Sequence, residues 1–423
     1  GCAGLESVSQ AEPDKADVSG LVLPLSKATP TGSAAFSEQY LDTSGAASAM
    51  RMFAECASLT DVTLTGAFNG SGASLFQMFS GSFDGSGSSL ALTHVGEGAR
   101  ADLSELAAGT GLTTLTLNGV GTGEAARLAR LAADAEHLAT VTLTDVATGA
   151  SADAREMFAR AASGVTGKIA YELTDVGCGG HGTVLGADMT AAFEGAFGKV
   201  SADSRFTFRQ TSSVPGTAAS LERFFSGASA LPQADLRGIP AVTGGAGTLA
   251  RMFSGMAAVK AITNKHAADA AVPDGVMASS ILLPKGWDTG SVTSMESMCA
   301  HMDALTDFDT SGFVRAQGGC DLTSMFEGCG SLAHAVFDAG ASLPSVFTDG
   351  KRVLQEKRAV GIVPGRASSM VGMFKGCKAL DYVDFYGLGT VGLGSSTEGE
   401  AGVTGQEGMF EGCEKMVKDP ASP

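Results

Sequence analysis

The residues with the most obvious chemical potential are the cysteines. The chain has 8, at positions 2, 56, 178, 299, 320, 329, 377 and 413. Four of them, Cys56, Cys329, Cys377 and Cys413, sit in one local pattern, Met-Phe-x-x-Cys, as in "MFEGC" at 325–329 and "MFKGC" at 373–377. A recurring thiol invites a metal or redox reading. Zinc, however, needs ligands paired at close spacing or a converging histidine, and the nearest pair, Cys320 and Cys329, is too far apart for a C-x₂₋₄-C knuckle. The slot occupied by those four cysteines holds Ser82, Ala161, Ala196, Ala228 and Met256 in other copies of the pattern. A slot that takes Cys, Ser, Ala and Met is one for a small buried side chain, since free cysteine behaves as a small hydrophobe. Cys320 lies in a Gly-rich insertion, and a disulfide to a neighbour such as Cys299 is an open alternative.

The remaining chemical candidates are local. "CGGHG" places Cys178 three residues before His181, but both belong to one Gly-rich loop, whereas a Cys–His dyad is assembled in a cleft from separate segments. "LNGVGTGEAARLARL" after a strand-like run imitates a dinucleotide site. Glu124 stands close to where a pyrophosphate would lie, and Gly119 and Gly121 lack the third glycine of the fingerprint at its required place. "DFDTSG" (307–312) alternates aspartates, but Ser311 and Gly318 replace two ligands of a calcium loop, which leaves a turn as the reading. The six histidines share no repeat position. No phosphate-binding loop, zinc-protease helix or nucleophile elbow occurs. The expectation is a protein that is not an enzyme and carries no cofactor and no metal.

What positions these residues is a repeat. Taking the Phe of Met-Phe as anchor, clear copies fall at Phe53, Phe79, Phe158, Phe225, Phe253, Phe326, Phe374 and Phe410, and degenerate ones at Ala107, Ala132, Phe193 and Cys299. Steps of 25 to 28 residues separate most of them, and longer steps hold insertions near 260–290 and 338–366. Each of these twelve units reads as a short amphipathic helix ending at the anchor, often followed by Gly two residues on as a helix cap. Then comes an apolar residue six after the anchor (Leu59, Leu138, Leu231, Leu332) opening an L-x-x-V-x-L strand. One such unit cannot bury its apolar face alone, but stacked copies can. Residues 1–20 read as a flexible N-terminal tail and 21–423 as a single array.

The pattern resembles the BspA-type bacterial leucine-rich repeats, including the mycoplasma-lipoprotein branch. "DTGSVTSMESMC" at 288–299, "DTSG" at 42–45 and 309–312, and the "MFEGC"-type runs carry the resemblance. It is closest in the C-terminal third, while units between about 100 and 200 keep the strand and lose Met-Phe-x-x-Cys. The resemblance implies an α/β repeat solenoid. That fold is a leucine-rich-repeat-like right-handed coil with a parallel β-sheet on one face and short helices on the other. It also implies a cell-surface or secreted, extracellular protein used in adhesion, with no catalytic residue. Cys2 after Gly1 resembles the start of a mature bacterial lipoprotein, which would make Cys2 a lipid anchor; an ordinary terminal cysteine is the alternative.

Composition narrows the partner. The net charge is −17 with 28 Lys+Arg against 45 Asp+Glu, and no basic cluster exceeds "GKRVLQEKR", so nucleic acid is excluded as a partner and an anionic membrane surface is disfavoured. Any membrane contact would run through a lipid on Cys2. A protein ligand is expected. The candidate binding face is the outward side of the strands: Thr63 and Thr65, Thr116 and Asn118, Thr142 and Thr144, Glu172 and Thr174, Asp235 and Arg237, Asp309 and Ser311, Asp338, Asp384 and Tyr386. Threonine suits any solvated β-surface, and the two insertions compete as sites because loops carry function. A carbohydrate- or cell-wall-binding module is the alternative; it calls for exposed aromatics, and of 4 Tyr and 1 Trp only Tyr386 falls on this face. The structural frame is assigned to Phe53, Cys56, Phe326, Cys329, Phe374, Cys377, Phe410 and Cys413.

Overall fold

A computed structural model describes residues 33–37, 47–83, 87–179, 185–211, 216–242, 247–264, 279–285, 287, 289, 291–311, 320–338, 347–348, 351–352, 367–384 and 407–415. Strand-forming pentads dominate the chain. In "DVTLT", Val62 and Leu64 are buried while Asp61, Thr63 and Thr65 are exposed, which is the period-2 pattern of a strand with one face covered. The same alternation recurs and builds one parallel sheet of 13 strands. Numbered in chain order these are β1 (Ser33–Ser37), β2 (Asp61–Thr65), β3 (Ser89–Val95), β4 (Thr114–Val120), β5 (Thr140–Thr144), β6 (Ala170–Thr174) and β7 (Arg205–Arg209). They continue with β8 (Ala234–Asp235), β9 (Ala261–Thr263), β10 (Ser280–Leu282), β11 (Asp307–Ser311), β12 (His334–Asp338) and β13 (Tyr382–Asp384).

Pairing is in register from β1 to β7: Val62 pairs with Leu90, Leu90 with Leu115, Leu115 with Val141, Val141 with Tyr171 and Tyr171 with Phe206. The inward residues form a single core. Where the sheet switches from aliphatic to aromatic, Tyr171 and Phe206 pack edge-on against Phe193, with centroids 6.1 and 4.9 Å away. The buried Tyr171 hydroxyl donates to Leu138 O at 2.8 Å.

The expected helices are absent: no α-helix occurs among the described residues. At all twelve anchors the residues two before and two after have positive φ, for example Arg51 (54°) and Glu55 (61°) about Phe53, and Ser324 (54°) and Gly328 (77°) about Phe326. An α-helix needs an unbroken run of negative φ. The alternation turns every second N–H out of its own turn toward the next pass of chain. Arg51, Phe53 and Glu55 donate to Phe76 O, Met78 O and Ser80 O at 3.0, 2.9 and 2.9 Å. The N–H groups between them close tight turns, Met52 to Ala49 O and Ala54 to Arg51 O. The glycine two after the anchor therefore serves a left-handed position in a turn, not a helix cap. This arrangement imitated a helix in the sequence because it buries residues at i, i+4 and i+7. Ala49, Phe53 and Cys56 are one such set, and Leu322, Phe326 and Cys329 another.

A further ladder runs five residues before the anchors from Phe53 to Phe374. Single parallel bridges link Ser48, Ser74, Asp102, Arg127, Asp153, Asp188 and Ser220 in succession. The short strands Gly247–Thr248, Val292–Ser294, Cys320–Asp321 and Ala367–Ser369 continue it. The side chain there commonly accepts the N–H two residues on, as Asp102 does from Ser104 (3.0 Å) and Asp321 from Thr323 (2.9 Å), the local bond that makes Asp, Ser and Thr good turn formers.

Two insertions interrupt the sequence. The first does not only form a loop: its strand β10 enters the main sheet between β8 and β9. In the turn layer the flanking passes remain direct neighbours, Phe225 N donating to Met252 O at 2.8 Å. Here the sheet side is thus one strand wider than the turn side. Trp287 is buried beside this wedge, and its Nε1 donates to Pro240 O at 3.2 Å. The second insertion includes a two-residue antiparallel pair, Phe347–Thr348 with Lys351–Arg352. The "DFDTSG" segment, expected as a turn, lies in strand β11 through Ser311, with Phe308 buried.

Candidate binding face

The outward rows follow from register. Thr63 aligns with Ala91, Thr116, Thr142, Glu172 and Thr207, and Thr65 with Thr93, Asn118, Thr144, Thr174 and Arg209. Thr63, Thr65, Asn118 and Glu172 are exposed, and Thr116, Thr142, Thr144 and Thr174 half-buried between neighbours. The sequence reading missed a third row of the same face: Asp61, Ser89, Thr114, Thr140, Ala170 and Arg205. It could have been found by extending the period of two one step toward the N-terminus.

Asp235 corrects the expected exposed face. It aligns with Thr207 and so points outward, yet only 3% of it is accessible. Arg237 reaches its carboxylate at 2.8 Å and Arg209 at 3.2 Å. Burial pushes the carboxyl up, but the hydrogen bonds and charge of Arg237, with the charge of Arg209, outweigh it and hold Asp235 below the ordinary carboxylate range. Arg237 itself is half-buried and lies beyond the end of β8. The pair is a structural ion cluster beside the wedge.

Asp309 and Ser311 lie in β11, Asp338 in β12 and Asp384 in β13, with Asp309 aligned to Val336 and that to Asp384; of these the structure describes the backbone. Cys2, His181 and Tyr386 lie outside the described residues. On the described part of this C-terminal half the charges are interlocked across passes. His334 Nδ1 is 3.2 Å from Asp307, its Nε2 is 3.3 Å from Asp381, and Lys415 Nζ is 2.5 Å from the same Asp381.

The repeated cysteines are packed, not presented. Cys56, Cys329, Cys377 and Cys413 are buried, as are Phe53, Phe326 and Phe374; Phe410 is half-buried against the core. The anchors stack: Phe326 on Phe374 at 5.3 Å and Phe374 on Phe410 at 5.6 Å, both pairs 4° from parallel. Each thiol of the C-terminal column donates to the anchor carbonyl of the preceding pass: Cys329 to Cys299 O (2.9 Å), Cys377 to Phe326 O (3.1 Å) and Cys413 to Phe374 O (3.1 Å). Ser82 makes the same bond to Phe53 O, so the slot selects a small donor as well as a small volume. Burial pushes the Cys329 and Cys320 thiols up to about 12, far from a nucleophile's range. Cys299 and Cys320 are both free thiols in the structure. Cys178 donates to Val176 O at 3.1 Å, and burial together with Asp175 raises it to about 12.

The glycines of the dinucleotide-like run have architectural duties. Gly119 and Gly121 take positive φ (63° and 62°) in the strand exit, as His94 and Gly96 do one pass earlier. A Cβ on Gly123 would lie 2.3 Å from Gly98 O, and one on Gly149 would lie 1.9 Å from Gly123 O, so a column of glycines lets successive passes touch through their backbones. Among the described residues no group of three or more His, Cys, Asp or Glu is arranged to hold a metal ion, and no helix is long and apolar enough to cross a membrane. The chain matches no model of a known protein family, no curated protein and no solved structure.

Proposed function

We propose that this chain is a leucine-rich-repeat-like solenoid of the bacterial surface type, a non-enzymatic binding protein that recognises another protein through its extended sheet face. The observation that carries this reading is the split between fixed and variable positions. Anchor, thiol slot, glycine column and inward strand residues repeat along the chain. The outward residues change from threonine-paved on β2 to β6 to charged at Arg205 and Arg209 on β7, Asp307 on β11 and His334 on β12, with Asp381 just before β13. Repetition of that kind serves stacking, and variation on a contiguous surface is how solenoids acquire ligands. The charged half suits a protein partner of mixed charge, since interlocked surface charges steer and register an encounter. Export and a lipid on Cys2 complete the proposal.

Fractionation of the source cells together with surface biotinylation and a binding panel of purified matrix and host-surface proteins tests it. Surface labelling with saturable binding, weakened by Arg205→Glu or Asp307→Lys, is the expected result. Recovery of the full-length chain in the cytosol alone would overturn it.

A further inference from the structure

The half of the sheet that carries little charge has a second property, regularity. Of the fifteen outward positions on β2 to β6, nine are threonine and two, Asp61 and Glu172, are charged. The row Thr65, Thr93, Asn118, Thr144, Thr174 advances one residue per strand without a register shift. None of the nine threonine hydroxyls hydrogen-bonds another described residue; Thr63, Thr65 and Thr140 are exposed and the other six are half-buried in the rows between them.

The absence of helices among the described residues removes one cause of curvature from this face. Neighbouring passes are tied by backbone hydrogen bonds in the sheet, at the bridges five before each anchor and in the turns. From β2 to β6 the turn layer and the sheet therefore advance together, with no bulkier element behind the sheet to splay the passes. Rings in successive passes lie near parallel, 11° for Phe53 on Phe79 and 7° for Phe158 on Phe193. The result is a regular net of outward positions, most of them bearing hydroxyls, repeating at about 4.8 Å across strands and about 6.6 Å along them.

We propose that this threonine-paved region of β2 to β6 binds ice. The prism face of ordinary ice is a rectangular net of oxygens with one repeat slightly shorter and the other slightly longer than these two. An array held on a hydrogen-bonded backbone loses little ordering entropy on docking to it, and the uncharged positions between Asp61 and Glu172 hold no strongly oriented hydration shell that would have to be stripped. Two other occupants fit less well. The face spans about 17 Å by about 25 Å from strand length and spacing, short of the roughly 800 Å² per partner typical of a stable dimer. Nor does it show an aromatic on which a sugar ring could stack. The inference concerns β2 to β6 and does not depend on the protein-binding reading of the charged half.

The test uses the full chain and ice itself, with crystal shaping and thermal hysteresis read in a nanolitre osmometer and recrystallisation followed in annealed films. Faceted crystals with a freezing point held below the melting point are expected. Thr142→Tyr and, at an exposed position, Thr65→Lys should lose the effect, and Arg51→Ala on the turn edge should keep it, with circular dichroism melts showing all three folded. Loss in Thr65→Lys with an unchanged melt supports the assignment even if Thr142→Tyr unfolds. Unfaceted growth at millimolar wild-type protein would overturn it, and so would hysteresis that survives both face substitutions. Protein-ligand binding unaffected by Thr65→Lys would leave the reading of the charged half standing in either case.

Discussion

Replacing Gly149 with alanine probes one of the closest backbone approaches in the molecule. Its backbone is not in the left-handed region, so alanine meets no conformational penalty there. The added Cβ would stand 1.9 Å from Gly123 O and 2.4 Å from Gly123 C. Both atoms are main chain, so no rotamer change can relieve the clash, and the two passes must part by about an ångström. That displacement strains the bonds that close the neighbouring turns, Ala125 N to Ala150 O (2.8 Å) and Ala152 N to Gly149 O (3.3 Å). Overpacking of this kind costs about 1–3 kcal/mol, and a weakened buried hydrogen bond adds about 1 kcal/mol, giving roughly 3 kcal/mol together. Two other glycines separate the causes. Gly109 has φ of 63° but nothing within 4 Å of a built Cβ, so Gly109→Ala should cost only the left-handed strain, about 1 kcal/mol. Gly167 has neither positive φ nor a neighbour within 4 Å, and Gly167→Ala should be neutral or gain a few tenths of a kcal/mol through the unfolded chain. Urea titrations at constant m-value rank the three. If Gly149→Ala proved no worse than Gly167→Ala, the glycine column would not be a backbone contact and the explanation of the dinucleotide-like run would fall with it.

Other substitutions follow from the same geometry. Buried thiols with raised folded values stay protonated while the unfolded thiols ionise near 8.5, so the unfolded state binds fewer protons above that pH. Stability should then fall by up to about 1.4 kcal/mol per pH unit per thiol toward pH 12, and Cys329→Ser, which keeps the donor that Ser82 shows to be acceptable, should flatten the decline seen in alkaline urea titrations. Arg237→Ala strands the buried Asp235 carboxylate and should cost about 3–5 kcal/mol, far more than Arg209→Ala. In the wild type, the stability from Asp235 is present above the ordinary carboxylate range and lost as pH falls through its depressed folded value, which acid titration followed by circular dichroism would record. Arg130, placed 3.0 Å from Glu156 and 3.1 Å from Asp134 on the turn edge, is about one-third exposed, so Arg130→Ala should cost no more than about 1 kcal/mol, and less in high salt.

The frame was legible in the sequence and its backbone was not. The twelve anchors and the L-x-x-V-x-L strands fall where the spacing places them, because inward burial at period two leaves an unambiguous trace, as Val62 and Leu64 show. The turns misled because Ala49, Phe53 and Cys56 are spaced as on a helix while their φ angles alternate in sign. One signal was present: glycine is accepted both two before the anchor (Gly372, Gly408) and two after it (Gly376, Gly412), and a helix has use for a left-handed residue only at its end. Asp235 was misjudged for a different reason. Its burial depends on Arg237 and Arg209 and on an inserted strand whose Leu282 pairs with it from far along the chain, and long-range pairing of that kind has no local signature.

Replacing helices by hydrogen-bonded turns also changes what the sheet can bind. With helices behind it, a parallel sheet is forced to curve, because a helix is about 10 Å across while strands repeat at about 4.8 Å, and the concave side then wraps a rounded partner. Here the turn layer repeats at the strand spacing itself, since the N–H groups of Arg51, Phe53 and Glu55 reach the next pass at ordinary hydrogen-bond length. The outward rows from β2 to β7 consequently keep one register, and the plan changes where β10 adds a strand on one side. On the two readings proposed above, affinity at this face would come from matched spacing or matched charge. Both resources are present and they are segregated: uniform hydroxyl spacing before β7, interlocked charge after β10.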